Sequence, residues 1–383
     1  MIQPYQIFFP LGLVYSIWGA LVWPWFVLQY GSSYPVSLHS GLMISGFLLN
    51  FATGFLLTAI PRFTGTVAAR PSEIVTAFLI NLCPFMVVLP ALAAVAPVIF
   101  HLAAVLTLSF LVVFFARRVL TSTMKVPDNF IFVGAGIGFG LFGGAMLLAY
   151  DVGLLPAAVL WPASTLLNQA TMLFLILGIG GRLVRALLGW GPPVVQFGEQ
   201  KGSAMAVSFI LCTLLIAGFF VEFFWSIPFG RVIKAIAVSW LAVTSWKIYR
   251  FPRIKGQLAR WLWVATWGLV VGLWTHALLP SFGMHAFHIV FVSGFGLMTL
   301  MIASRVTLAH GGYDLIIEHK SKVILATGIL VIVAAFTRVT APLVAAMYMR
   351  HLMYAGLVWV LAVLVWSVGF VPRIFLLKSR SEK

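Results

Sequence analysis

The sequence predicts an all-α integral membrane protein with twelve transmembrane helices. Of its 383 residues, 62% are apolar and only 8% are charged. Mean hydropathy is +1.09, far above the values of soluble domains. Apolar runs of about 20 residues recur along the whole chain, and each is long enough to cross a hydrocarbon core of about 30 Å as a helix. Because a helix satisfies its backbone hydrogen bonds within the run, we expect helices and not a barrel.

The apolar runs also predict where each helix lies. The first run has no basic residue before it and no clear small-residue cleavage site, so we expect it to remain as the first span. Short loops join the runs, so we expect one membrane domain over residues 1–383. The predicted spans are residues 8–28, 39–60, 74–95, 98–118, 130–150, 157–179, 204–222, 227–246, 261–279, 285–304, 323–340 and 347–370.

Charge predicts the orientation of these spans. The chain has 24 Lys and Arg against 8 Asp and Glu, a net charge of +16. Because no soluble domain is expected, nothing could carry a nucleic-acid surface, and nucleic acid is excluded as a partner. About twenty of the basic residues fall on one side of the predicted spans, which the positive-inside rule identifies as the cytoplasm, together with both termini. The exceptions on the outer side are Arg231, Lys234, Arg338 and Arg350.

One arginine recurs at the end of every fourth span. Arg62 closes span two, Arg182 closes span six and Arg305 closes span ten, at steps of 120 residues (62 to 182) and 123 residues (182 to 305). This spacing predicts three four-helix pseudo-repeats at approximately residues 1–125, 126–255 and 256–383. Similarity beyond the arginine and its small or Pro neighbour is weak, so chance recurrence is the alternative.

Histidines cluster at one predicted depth. Of the eight histidines, only His310 and His319 map to the cytoplasmic side. For any single outer histidine, an interfacial structural role is the alternative, but six at one depth favour a metal site, because neutral imidazole is the usual protein ligand for haem iron and copper. The six outer histidines are His39, His101, His276, His285, His288 and His351.

Two arginines and the few carboxylates refine this expectation. Arg338 and Arg350 flank the outer loop between spans eleven and twelve, where they would pair with haem propionates or simply extend toward the headgroups. We expect no acidic residue to accompany the histidines, which argues against a carboxylate-rich metal site. A proton relay would need carboxylates deep in the membrane. Only Asp151 and Glu222 are candidates, and both are predicted near outer helix ends, so we do not expect proton pumping.

A set of residues spread over the chain carries a family resemblance. They are His39, Gly46, the run Gly54–Ala59, Pro61, Thr64, Gly65, the run Gly180–Arg182, His285 and the run Arg305–His310. In these residues the chain resembles the NnrS family of bacterial membrane proteins. The resemblance implies a twelve-span inner-membrane protein that carries haem, with copper also associated, and that acts in the response to nitric oxide during denitrification or nitrosative stress.

The chain also departs from the family pattern. Gly41 and Leu42 stand where a second histidine and a glutamate are expected, so the resemblance supports copper less than haem. At fold level only, the chain is similar to the main subunit of haem-copper oxidases and nitric oxide reductases, in which helices two and ten supply axial histidines to haem. His39 and His285 or His288 occupy comparable places, whereas span six has no histidine.

These observations predict a b-type haem protein that binds or reduces nitric oxide or transfers electrons, with quinol as one conceivable donor; whether it is an oxidoreductase enzyme stays open. His39 and His285 would be axial ligands, and His288 the alternate or second-haem ligand. Arg338 and Arg350 would neutralise the propionates. The alternatives are a transporter of a small solute or metal complex and a purely structural subunit.

Overall fold

The computed structural model describes residues 2–30, 34–89, 92, 94–191 and 202–376. Over these residues the chain is helical without any strand, and twelve of its helical segments are long and apolar enough to cross a membrane. The predicted all-α membrane fold is therefore confirmed. We number the spans in chain order: α1 Pro4–Val27, α2 Val36–Thr64, α3 Pro71–Val88, α4 Ala96–Leu120, α5 Phe130–Asp151, α6 Ala157–Leu187, α7 Met205–Phe224, α8 Ile227–Trp246, α9 Gln257–Leu278, α10 Pro280–His310, α11 Lys322–Leu343 and α12 Ala345–Phe375.

Each predicted span corresponds to one observed span, and the differences lie at the ends. α3 ends at Val88, seven residues before the predicted end, in a 3-10 turn. Leu89 follows in an extended conformation, which suits its place before a proline in the sequence. α6 runs to Leu187, beyond the predicted end at residue 179, and so carries Arg182 within the helix.

Four spans contain a π-helical stretch. The stretches are Leu42–Leu48 in α2, Leu166–Ala170 in α6, Ala242–Trp246 at the end of α8 and Ile289–Gly296 in α10. Of the twelve spans, α2, α6 and α10 have the largest buried shares, 83%, 67% and 67%, and they carry the recurring arginine. π-bulges are rare and often lie at functional sites. The stretch in α8 does not follow the four-span spacing, and the threefold repeat stays a prediction.

The chain divides into two compact units, Met1–Leu175 and Ile176–Lys383. In the first unit α1 packs on α2, and α4 packs on α5. α5 also packs closely on the first half of α6, because glycines of α5 admit the α6 backbone: a Cβ on Gly143 would lie 2.7 Å from the Ala163 carbonyl oxygen, and one on Gly140 would clash with Thr171 Oγ1. Small residues that let backbones approach are the usual basis of helix packing in membranes.

In the second unit α7 packs on α8, α8 on α9, and α11 on α12. α9 lies against the π-helical stretch of α10, where a Cβ on Gly268 would meet Ser293 and one on Gly272 would meet Val290. Buried tryptophans tie further elements together. Trp366 donates from Nε1 to Ser304 Oγ at 2.8 Å, and this hydrogen bond fixes α12 on α10.

Candidate functional site

His39 lies in the short α-helical turn Val36–Gly41 that opens α2, immediately before its π-helical stretch. Its Nδ1 is 2.8 Å from the Gly19 carbonyl oxygen of α1, and its ring meets the Trp23 ring edge-on at 5.5 Å between centroids. A carbonyl oxygen can only accept a hydrogen bond, so Nδ1 carries the hydrogen and the lone pair lies on Nε2. This is the tautomer in which histidine binds a metal through Nε2.

His288 and His276 have the same tautomer. His288 lies one residue before the π-helical stretch of α10, and its Nδ1 is 2.7 Å from the Met284 carbonyl oxygen. His276, near the end of α9, is buried and has its Nδ1 2.9 Å from the Gly283 carbonyl oxygen. Both rings therefore carry the lone pair on Nε2, as His39 does.

His285 is held differently from its neighbour His288. Arg338 of α11 places Nη1 2.7 Å from His285 Nδ1. A guanidinium only donates, so Nδ1 must accept, and in the neutral ring the hydrogen then lies on Nε2. The structure brings together two residues that the sequence assigned to one site, but in this arrangement His285 does not offer an Nε2 lone pair to a metal.

His101 has a carboxylate partner. Its Nδ1 is 2.5 Å from Asp151 Oδ2, which joins the first turns of α4 to the end of α5. A carboxylate that accepts from Nδ1–H fixes the orientation of the ring and leaves the lone pair on Nε2, as in the outer shells of many metal sites. The prediction that no acidic residue accompanies the histidines is therefore wrong at this position.

The last outer histidine and arginine are neighbours in the first turns of α12. The Nδ1 atom of His351 is buried and has no hydrogen-bond partner. Arg350 is exposed, and its guanidinium lies 3.8 Å from Met347 Sδ. Within the described ranges, no three side chains of His, Cys, Asp or Glu come together in an arrangement that could hold a metal ion.

A buried charge network in the second unit was missed by sequence reasoning. Glu222 of α7 accepts from Arg231 Nε at 2.9 Å through one oxygen and from Lys234 Nζ through the other. Glu222 and Lys234 are 3% and 2% exposed. Arg231 Nη1 also donates to the His276 carbonyl oxygen at 3.3 Å. The sequence did carry a signal, because Arg231 and Lys234 were exceptions to the charge rule and Glu222 precedes them across one short turn.

The network continues to the start of α10. Arg231 contacts the backbone of His276, and the His276 ring bonds the carbonyl of Gly283. Gly283 begins the helical turn that carries His285 and His288. Three charged residues of α7 and α8 are thereby connected, through α9, to the turn that holds two candidate ligands.

The recurring arginines lie toward the C-terminal ends of α2, α6 and α10. Arg305 donates to Glu318 Oε1 at 2.5 Å. Glu318 lies outside the spans, and burial raises its pKa, although Arg305 opposes this shift. Arg62 lines a cavity at the end of α2. Arg182 is half-buried within α6, and His310 is the last residue of α10.

The fold and these sites define a multi-pass α-helical membrane protein with histidines anchored near one end of several spans. Comparison with known families gives the particular assignment. A family model described as NnrS protein matches residues 1–380, so the chain belongs to the NnrS family, membrane proteins associated with the response to nitric oxide. No curated protein matches the chain.

Proposed function

We propose that this protein binds haem b and, through it, nitric oxide, with His288 as an iron ligand in the second unit and His39 as an iron ligand in the first. The observation that carries the proposal is the anchoring of both rings. Each donates Nδ1–H to a backbone carbonyl and has its lone pair on Nε2. The pairing of His39 with His285 on one haem stays a prediction, and His288 is preferred because Arg338 donates to His285.

The donor set fits haem better than copper. When a carbonyl accepts from Nδ1–H, the imidazole ring is oriented and its Nε2 atom becomes a more basic ligand before iron binds. When bound, haem iron with one open axial position supplies the site for a diatomic ligand such as nitric oxide. The carbonyls of Gly19 and Met284 would hold the two rings, and Arg338 would place a positive charge suited to a propionate beside His285. Leu42 stands where the family has a carboxylate and is fully buried, so copper is not part of the proposal.

We also place both termini in the cytoplasm and the protein in the bacterial inner membrane. The distribution of basic residues supports this orientation. Two of its four exceptions, Arg231 and Lys234, share the carboxylate of Glu222, which reduces the charge that they present on the outer side.

The test is the absorption spectrum of the purified protein with haem quantified as the pyridine haemochrome. We expect a Soret band whose intensity falls clearly in His288→Ala and in His39→Ala, since loss of even an outer-shell partner of a metal ligand typically costs about 10–100-fold in affinity. His319→Ala, outside the spans, is the matched control and should keep the band. An unchanged spectrum in both His39→Ala and His288→Ala would refute the ligand assignment.

A second experiment addresses nitric oxide and electron transfer. Stopped-flow spectra of the reduced protein mixed with nitric oxide should show a shifted Soret band within the mixing time or shortly after. If both axial positions stay closed, the spectrum does not shift, and the protein then transfers electrons, with quinol as the donor to test, and does not bind nitric oxide.

Buried polar atoms favour a second candidate, transport of a small solute with hydrogen-bond donors. Asn50 Oδ1, Thr53 Oγ1 and Gln169 Oε1 lie buried in α2 and α6 and have no hydrogen-bond partner. Buried unsatisfied acceptors are costly in a membrane, and a bound solute would satisfy them. A colourless purified protein that accumulates solute in vesicles would favour transport over haem binding.

A further inference from the structure

A cavity of about 400 Å³ lies beside Arg62 in the first unit. Its walls come from the residues that begin α1, the last turns of α2 and the segment 65–69 that follows α2. The volume is within the range of about 300–1,000 Å³ usual for ligand pockets. Because it lies at the ends of two spans, the cavity is at the level where headgroups meet the helices.

Two positive features face this cavity. Arg62, which carries a guanidinium, is exposed and lines the cavity. The N-terminus of α1, a 24-residue helix, contributes Gln3 and Pro4, and a helix of this length carries a partial positive charge at that end. Among the described residues that line the cavity, none is acidic. The cavity therefore favours an anion.

Carbonyl groups near the end of α2 accept local hydrogen bonds. The Ile60 carbonyl accepts from Thr64 Oγ1 at 2.9 Å, and the Pro61 carbonyl accepts from the Thr66 backbone N–H at 2.9 Å. Gly65 makes the turn possible, since its φ of 64° is in the left-handed region. These bonds and the turn at Gly65 end α2 beside the cavity.

The rest of the lining is apolar or hydroxylated. Leu57 and Pro61 of α2 and Ala69 contribute apolar surface, and Thr58 contributes a hydroxyl oxygen that can accept a hydrogen bond while it donates to the Gly54 carbonyl at 2.7 Å. One cation in front of apolar walls suits an amphiphile with an anionic head. A guanidinium binds phosphate oxygens with paired hydrogen bonds.

We propose that this cavity binds the headgroup of an anionic phospholipid, with the Arg62 guanidinium on the phosphate and the glycerol backbone against Leu57 and Pro61. The site is separate from every candidate haem ligand in α2, since His39 lies at the opposite end of that span. Lipid binding at Arg62 can therefore be tested on colourless protein, and its failure would leave the haem proposal untouched.

The experiment uses the full-length protein in detergent, titrated with dioleoyl phosphatidylglycerol, with dioleoyl phosphatidylcholine and with inorganic phosphate, and bound lipid is counted by native mass spectrometry. We expect phosphatidylglycerol to bind at least about tenfold more tightly than phosphatidylcholine, and Arg62→Gln to remove this preference. Arg117→Gln is the control, because Arg117 is also exposed at a helix end of the first unit but does not line the cavity.

A second variant keeps the test valid if Arg62→Gln lowers the yield of folded protein. Ala68→Trp retains the arginine and fills the cavity, since Ala68 is exposed and lines it, and it should lower phosphatidylglycerol binding to a similar extent. Equal binding of the two lipids, or equal effects of Arg62→Gln and Arg117→Gln, would overturn the proposal. Displacement of phosphatidylglycerol by micromolar inorganic phosphate would also overturn it and would assign the cavity to a free anion.

Discussion

Removal of the buried carboxylate of Glu222 should destabilise the protein far more than removal of the lysine that it binds. Two cations, Arg231 and Lys234, share this single carboxylate. Glu222→Gln keeps the shape of the side chain but leaves both cations without a counter-charge. Breaking a buried ion pair by removing one partner costs about 3–5 kcal/mol, because a buried charge is left uncompensated.

Lys234→Met has a smaller expected effect. Methionine follows the path of the lysine side chain, and the remaining pair of Arg231 and Glu222, 2.9 Å apart, is balanced in charge. The lysine also lies over the Phe219 ring, 4.1 Å from its centroid, and a thioether retains a favourable contact with an aromatic ring. We expect the free energy of unfolding to fall by less than about 1.5 kcal/mol, as for other substitutions that conserve volume.

The double variant separates charge from packing. With both Glu222→Gln and Lys234→Met, only Arg231 remains charged, and its side chain is 12% exposed and can reach solvent. The double variant should therefore be more stable than Glu222→Gln alone, with a coupling energy of about 1–3 kcal/mol between the two positions.

Thermal unfolding in one detergent and at one scan rate measures these differences, with the scan rate held constant because unfolding of such proteins is often irreversible. Glu222→Gln should melt several degrees below the unmodified protein, and Lys234→Met close to it. If Lys234→Met were as destabilising as Glu222→Gln, or if the double variant were the least stable, the charge reasoning would be refuted.

Two further predictions concern packing and pH. Gly143→Ala should destabilise by more than about 1 kcal/mol because its Cβ would lie 2.7 Å from the Ala163 carbonyl oxygen, whereas Gly138→Ala, with nothing within 4 Å, should be neutral or slightly stabilising by thermal melting. Burial raises the pKa of Glu318 despite Arg305, so folding binds a proton there. Stability should therefore fall, relative to Glu318→Gln, as pH rises from the unfolded pKa of about 4.3 to the raised folded value; parallel stability curves for the two proteins would contradict this.

The sequence located the spans well because bilayer thickness imposes a length of about 20 apolar residues on every crossing. The largest errors were at the C-terminal ends of two helices, where backbone hydrogen bonding determines the last helical residue. α3 stops at Val88 ahead of a proline, and α6 continues past the apolar run to Leu187. Hydropathy registers the change from apolar to polar residues, which does not have to coincide with the last helical hydrogen bond.

The partners of the polar residues could not be predicted from the sequence. His101 and Asp151 are 50 positions apart, and His285 and Arg338 are 53 apart. Nothing in the local pattern distinguishes them from interfacial side chains. The tautomers of His285 and His288, on one turn of α10, could not be predicted from the sequence either. The carbonyl acceptor at His288 and the guanidinium donor at His285 impose opposite tautomers. Such choices depend on which groups other helices bring within about 3 Å.

By itself, the sequence determined that this is a twelve-span membrane protein of the NnrS family, because the apolar runs and the family residues can be identified from the amino-acid sequence alone. Only the tertiary structure decided where the spans pass into π-helix, that Glu222 pairs with two unusual cations, and which nitrogen of each histidine carries the hydrogen. The physical reason is that a span needs only its own residues to cross a membrane, whereas a buried charge or imidazole is defined by the groups that packing places beside it.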